Sequence, residues 1–121
     1  MIPAPISAPI STPVSAPIAW ADEARELAFR KWIGGVQATR GLDLSSLRSA
    51  SSDASFRRYF RVDAAGGRSL IVMDAPPPQE DVRPFIQVAG LLHAAGLNAT
   101  EIVEQDVVHG FLLLTDLGSR L

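Results

Sequence analysis

The sequence contains no cysteine, a single lysine and only two histidines among its 121 residues. Without cysteine the chain cannot form disulfides or thiolate metal sites. His93 and His109 lie in no ligand motif, so a histidine-built metal site is not expected. Long hydrophobic runs are also lacking, because proline recurs every fourth residue from Pro5 to Pro17 in the most apolar stretch. We therefore expect no transmembrane segment, no signal peptide and a cytoplasmic location.

Charge of one sign is not in surplus either. The formal net charge is −2, which argues against a general nucleic-acid binder, since such proteins carry a basic excess. The hydrophobic fraction of 47% is that of a globular protein, and the length allows one domain. Proline at a spacing of four blocks a helix and matches no polyproline face. We predict a disordered Pro/Ala/Ser-rich tail over residues 1–19 and a single domain over 20–121.

Hydrophobic periodicity predicts two helices and five strands. A first helix runs from about Trp20 to Ile33 and is ended by Gly34 and Gly35. Its apolar stripe is Trp20, Ala24, Leu27, Ala28 and Trp32, widened by Phe29, Ile33 and Val36. The predicted strands are 47–50, 56–62, 70–73, 100–105 and 111–115, and the second helix spans about 81 or 83 to 95.

This order indicates an α+β fold with a five-stranded antiparallel sheet, a crossing helix and an extra N-terminal helix. The second helix is predicted to bury Phe85, Val88, Leu91, Leu92 and Ala95. The apolar strand 70–73 is expected in the middle of the sheet. The sequence stops soon after the fifth strand, which favours a domain boundary or a truncation at that point.

Alternation along strand 56–62 assigns its side chains to two faces. Phe56, Arg58, Phe60 and Val62 share one face, with Phe56 and Phe60 in the core. Arg58 shares that apolar face, so a partly buried or phosphate-facing role needs a partner, for which Glu80 or Asp74 is the candidate. Arg57 and Arg61 are predicted to be solvated.

The element order is that of a protein-kinase-like N-terminal lobe. In that layout the loop between the first two strands covers nucleotide phosphates with backbone N–H groups. The third strand carries a basic residue, the helix supplies a carboxylate that orients it, and the segment after the fifth strand bonds the adenine edge. Many α+β domains share this order, so the order alone is weak evidence.

Four sequence segments, in this order, give more specific evidence than the element order: 53-DASFRRYFRV-62, 73-MDAPPPQED-81, 85-FIQVAGLLHAAGLN-98 and 111-FLLLTDLG-118. From about Leu27 to Leu121 the chain resembles the N-terminal lobe of the bacterial cell-wall-recycling N-acetylmuramate/N-acetylglucosamine anomeric kinases, within the aminoglycoside-phosphotransferase-like superfamily. The resemblance implies ATP-dependent phosphoryl transfer to the anomeric hydroxyl of an amino sugar, with Mg²⁺, in peptidoglycan recycling. The partners implied are ATP and the amino sugar, with no nucleic acid and no membrane.

The resemblance also implies that the catalytic groups lie elsewhere. Family members are much longer, and their C-terminal lobe carries the catalytic Asp and the metal ligands. No His-Gly-Asp string occurs in this sequence. We therefore expect the 121 residues alone to be inactive, with no catalytic residue and no metal ligand among them.

Candidate nucleotide-binding residues follow from the resemblance. Met73 falls at or next to the third-strand position where the wider superfamily has Lys or Arg, so the cation would come from Arg57 or Arg58 instead. Glu80 is either the orienting carboxylate or a helix-start acid. The candidates are Asp53, Ala54, Ser55 and Phe56 at the phosphate loop, Arg57, Arg58, Met73 and Glu80 behind it, and Thr115, Asp116, Leu117 and Gly118 at the hinge.

Simpler explanations stay open at this point. Asp53–Ser55 is otherwise a polar hairpin tip, and Asp116–Gly118 a strand-ending turn. Two other functions also remain: another small-molecule kinase of the superfamily, of the aminoglycoside or choline type, and a non-catalytic binding module.

Overall fold

A computed structural model describes residues 18–52, 56–96 and 100–116 of the chain. The described residues form one five-stranded antiparallel sheet in the order β1-β2-β3-β5-β4, with two helices. The elements are α1 Glu23–Arg40, β1 Leu42–Ser52, β2 Arg58–Ala64, β3 Arg68–Asp74, α2 Arg83–Ala94, β4 Ile102–Asp106 and β5 Phe111–Thr115. This confirms the predicted fold class.

Helix α1 is longer than predicted at its C-terminal end. It begins after Asp22, whose carboxylate accepts the backbone N–H of Ala24 at 2.9 Å, and it ends at Gly41 with φ of 66°. Gly34 and Gly35 lie inside it, so the prediction that they end it was wrong. Each costs about 1 kcal/mol relative to alanine. Packing of neighbouring apolar residues on the sheet offsets this cost.

The first strand is longer than predicted, and the second is shifted by two residues. β1 spans Leu42–Ser52 where only 47–50 was predicted, and β2 begins at Arg58 instead of Phe56. Serine-rich β1 has low strand propensity. The strand forms nevertheless, because pairing with β2 satisfies the hydrogen-bonding groups of its backbone.

Each face of the sheet carries its own core. On one face α1 contributes Phe29, Ile33 and Val36 to a cluster with Phe60, Val62, Val72, Phe111 and Leu113. On the other face Val82, Phe85 and Ile86, at the start of α2, pack with Met73, Ala75, Leu112 and Leu114. β3 is the central strand, as predicted, because Val72 and Met73 point to opposite cores and both are fully buried.

The two tryptophans anchor the first core. Trp20 contacts the rings of Phe29 and Phe60, at centroid distances of 5.1 and 6.0 Å, and Trp32 stacks on Phe111 at 5.5 Å. Leu27, predicted in the same stripe, is exposed instead.

Helix α2 buries a different face from the one predicted. Val82, Ala89 and the partly buried Phe85 and Ile86 face the sheet. Among the predicted residues, Val88, Leu91, Leu92 and Ala95 are exposed, with Leu91 at 64%. The helix is apolar around more than half of its circumference, so periodicity could not select the buried stripe.

Candidate functional site

The sheet face that packs against the start of α2 carries the candidate residue Met73. Cross-strand register places Tyr59 opposite Met73 and Met73 opposite Leu112, and Arg61 lies opposite Ile71. These side chains share one face because residues directly opposite each other point the same way. Tyr59 and Ile71 are only half-buried there, so part of this face is open.

Arg57 and Glu80 form an ion pair on this side of the sheet. Arg57 Nε donates to Glu80 Oε1 at 2.7 Å, and the two side chains are 25% and 14% exposed. The hydrogen bond that Arg57 donates to Glu80 is the largest cause that raises the pKa of Arg57. The expectation that Arg57 is solvated was therefore wrong.

The acid at the helix start is Asp81 and not Glu80. Asp81 Oδ1 accepts the backbone N–H of Arg83, the first residue of α2, at 3.0 Å. Glu80 instead closes the preceding turn, since its N–H donates to the Pro76 carbonyl at 3.0 Å. Its carboxylate accepts the hydrogen bond from Arg57, so it is not a helix-start acid.

Met73 lies in the core between the sheet and the start of α2. It has no exposed surface and packs with Ala75, Val82, Leu112 and Leu114. At this third-strand position the described chain thus has an apolar packing residue in place of a cation.

Arg58 points to the opposite face, toward α1. Its Nε and Nη2 donate to Asp74 Oδ2 at 3.0 and 2.8 Å, which confirms Asp74 as its partner. Its guanidinium lies 4.5 Å above the Trp20 ring, and its Nη1 donates to the Ala19 carbonyl. Arg58 is therefore partly buried, as expected, but it lies on the face away from Arg57.

A second arginine completes this cluster and was missed by sequence reasoning. Arg25 of α1 donates through Nε to Asp74 Oδ1 at 2.8 Å and through Nη1 to the His109 carbonyl at 2.6 Å. Asp74 is only 2% exposed, so two cations offset one buried carboxylate. Arg25 and Asp74 are 49 residues apart in the sequence, so hydrophobic periodicity within single elements could not predict their contact.

At the other end of the sheet, Asp116 is held by side chains of β2 and β3. Arg61 Nε donates to Asp116 Oδ2 at 2.7 Å, and Ser69 Oγ lies 2.7 Å from the same oxygen. Arg61 was predicted to be solvated and is instead paired with a buried carboxylate. The hydrogen bond to Asp116 is the largest cause that raises the pKa of Arg61.

The remaining candidates lie partly inside and partly outside the described ranges. Thr115 is fixed at the end of β5, where its N–H donates to the Glu101 carbonyl at 3.0 Å and its Oγ1 accepts the Glu101 N–H at 2.9 Å. Phe56 is 62% exposed, so its assignment to the core was wrong. Asp53, Ala54, Ser55, Leu117 and Gly118 lie outside the described residues.

A metal site does not form from the part of the chain that the structure describes. No group of three or more His, Asp or Glu side chains there could hold a metal ion. Nor is either described helix long and apolar enough to cross a membrane.

An antiparallel sheet with a central apolar β3 and a helix between β3 and β4 is the architecture expected of a protein-kinase-like N-terminal lobe. Comparison with known families agrees: the APH family, described as a phosphotransferase enzyme family, matches residues 46–120. The chain belongs to this family.

Three curated relatives carry the same name, N-acetylmuramate/N-acetylglucosamine kinase. The Pseudomonas aeruginosa protein is 65% identical over 76 residues, which are 63% of this chain and 22% of that protein. The Pseudomonas putida protein is 48% identical over 101 residues, covering 84% and 28%, and the Neisseria meningitidis protein is 36% identical over 95 residues, covering 78% and 27%. The chain thus spans roughly a quarter of these relatives' length. No solved structure shows a significant match.

Proposed function

We propose that residues 20–121 form the nucleotide-binding lobe of a cytoplasmic kinase that transfers a phosphoryl group from ATP to the anomeric hydroxyl of N-acetylmuramate or N-acetylglucosamine, as a step in peptidoglycan recycling. The family match and the shared name of the three relatives support the reaction class and the sugar.

The ion pair between Arg57 and Glu80 carries the proposal for ATP. Phosphoryl transfer depends on cations that are held in place against phosphate oxygens. A carboxylate at 2.7 Å orients the Arg57 guanidinium, while Met73, buried in the core of the sheet, provides no charge. Arg57 also follows closely after the 53–55 segment, the proposed phosphate-covering loop. Arg57 is therefore our candidate for the phosphate-facing cation.

The adenine edge would be bound at the other end of the same face. β5 ends at Thr115, and the backbone of residues 115–118 would provide the hydrogen bonds. Thr115 is anchored to Glu101 by two hydrogen bonds, which gives this segment a fixed starting point.

The chemical step would require groups outside these 121 residues. The described part offers no metal-binding cluster, and the full sequence has no His-Gly-Asp string. Mg²⁺ and the catalytic base would be held by the second lobe, in the length of the relatives that this chain does not span. We therefore propose that the chain alone transfers no phosphoryl group.

The test uses the complete reading frame that contains this chain. The protein is incubated with Mg²⁺, ATP and one acceptor at a time: N-acetylmuramate, N-acetylglucosamine, choline or an aminoglycoside. Product is followed by ³¹P NMR, which distinguishes an anomeric phosphate from other phosphate esters. Anomeric phosphate on an amino sugar supports the proposal. Turnover of only choline or the aminoglycoside would overturn the sugar assignment, and no ATP turnover with any acceptor would overturn the kinase assignment.

A further inference from the structure

The carboxylate of Asp116 is the anchor of a three-strand cluster at the end of β5. Arg61 of β2 contacts both of its oxygens, Oδ2 through Nε at 2.7 Å and Oδ1 through Nη2 at 3.4 Å. The hydroxyl of Ser69 on β3 lies 2.7 Å from Oδ2. The Asp116 side chain is 2% exposed.

The topology makes this cluster a clamp across three strands. In the sheet β3 lies between β2 and β5, so the Arg61 side chain reaches across the width of β3 to contact Asp116. Backbone pairing of β3 with β5 ends at the pair Leu70 and Thr115. Ser69 and Asp116 are the next residues outward from this pair. Side-chain bonds therefore continue the connection where the backbone ladder stops.

Stabilisation of the fold does not by itself explain why the Asp116 charge is buried. Replacing a buried ion pair by apolar residues is often neutral or stabilising, so a buried pair is weak evidence for stability. What such a pair does provide is direction, because a two-contact arginine and a hydroxyl fix a carboxylate in one orientation. The residue fixed here, Asp116, belongs to the proposed adenine-binding segment 115–118 and directly follows β5.

We propose that Arg61 and Ser69 are positioning residues for the base of the nucleotide. By holding the Asp116 carboxylate they fix the end of β5, from which the proposed adenine-binding segment continues. This inference rests on the proposed function, in which residues 115–118 bind adenine. Misplacing a positioning group by about 1 Å is enough to weaken its action severely.

A neighbouring ion pair of the same sheet serves as the control. Arg48 Nη2 donates to Asp63 Oδ1 at 3.2 Å, and this pair is half-exposed. It lies beside the cluster, because Arg48 stands opposite Arg61 and Asp63 opposite Ser69 in the strand register, so it tests for a merely local disturbance. An exposed pair of this kind has little effect on the fold. Arg48→Lys is therefore the matched counterpart of Arg61→Lys.

The experiment measures steady-state kinetics of the full-length protein with three variants: Arg61→Lys, Ser69→Ala and Ser69→Thr. Arg61→Lys keeps the charge but loses the two-contact geometry. Ser69→Ala removes one bond to the carboxylate and Ser69→Thr restores the hydroxyl, and both are milder than a change of Asp116 itself. Each variant is assayed against ATP and, separately, against the sugar.

For Arg61→Lys and Ser69→Ala we expect the KM for ATP to rise about tenfold, as for loss of one hydrogen bond to a charged group. The kcat and the KM for the sugar should change by less than about twofold, and Ser69→Thr and Arg48→Lys should behave as wild type. An unchanged KM for ATP in both variants would overturn the inference. So would parallel loss of kcat, sugar KM and ATP KM, because that pattern marks general loosening of the fold. A wild-type protein that does not use ATP would instead refute the proposed function itself.

Discussion

Arg57 and Glu80 meet at 2.7 Å across the gap between the start of β2 and the turn that precedes α2. Met73, at the strand position where a kinase-like lobe is expected to carry a cation, is fully buried in the core. In the proposed function this pair would supply a charge and its orienting carboxylate from different elements than the general layout suggests. Arg58, next to it in sequence, points to the opposite face and is bound to Asp74.

Removing the Asp74 carboxylate should destabilise the protein. Asp74→Asn leaves Arg25 and Arg58 without the buried anion that both contact, so the free energy of unfolding should fall by about 3 kcal/mol. Urea unfolding measures this. The control is Asp63→Asn, whose half-exposed pair with Arg48 should be worth less than about 1 kcal/mol. Equal effects of the two substitutions would contradict the buried cluster.

Two glycines should respond to alanine in opposite directions. Gly34 lies inside α1 with open space where a methyl group would be added, so Gly34→Ala should stabilise the protein by about 0.5–1 kcal/mol. At Gly110 φ is 76°, and an added Cβ would clash with the Ala75 carbonyl oxygen, so Gly110→Ala should destabilise it. Thermal unfolding reports both. A destabilising Gly34→Ala would mean that α1 does end before Gly34.

The Asp81 carboxyl should titrate well below its usual range. Arg83 donates to it through Nε at 2.9 Å and Nη2 at 2.8 Å, and the pKa of Asp81 is lowered from 3.8 to about 2. Because the pKa is lower in the folded state, the whole stabilising effect of this contact is present when the pH is above the unfolded-state pKa of 3.8. The stabilisation is lost as the pH falls from there through about 2.

Carboxyl ¹³C NMR titration of the wild type and of Arg83→Ala checks this assignment. Arg83→Ala should return the pKa of Asp81 toward 3.8. A pKa near 3.8 already in the wild-type protein would show that the Arg83 contact does not persist in solution.

Sequence patterns correctly predicted those strands whose residues are nearly all apolar. β5 was predicted with its observed bounds, Phe111–Thr115, and the apolar β3 was placed correctly in the centre of the sheet. The partnership of Arg58 with Asp74 also followed, since an arginine on an apolar face needs an acid nearby.

What sequence reasoning missed depends on contacts between distant segments. Arg61 and Asp116 are 55 residues apart, and only the order of β2, β3 and β5 brings them together. Helix α1 continues through Gly34 and Gly35 because tertiary packing outweighs weak local propensity. Phe56 was assigned to the core on the assumption that β2 began there, and the strand begins two residues later.

The central claim is that Arg57 acts as the phosphate-facing cation, and the KM for ATP of Arg57→Ala in the full-length protein tests it most directly. Arg83→Ala is the control, because Arg83 is also paired with an acid beside α2 but is exposed. We predict that Arg57→Ala raises the KM for ATP at least about tenfold while Arg57→Lys recovers part of the loss. The KM for the sugar and the Arg83→Ala enzyme should stay near wild type. A KM for ATP in Arg57→Ala equal to that of the control would contradict the account.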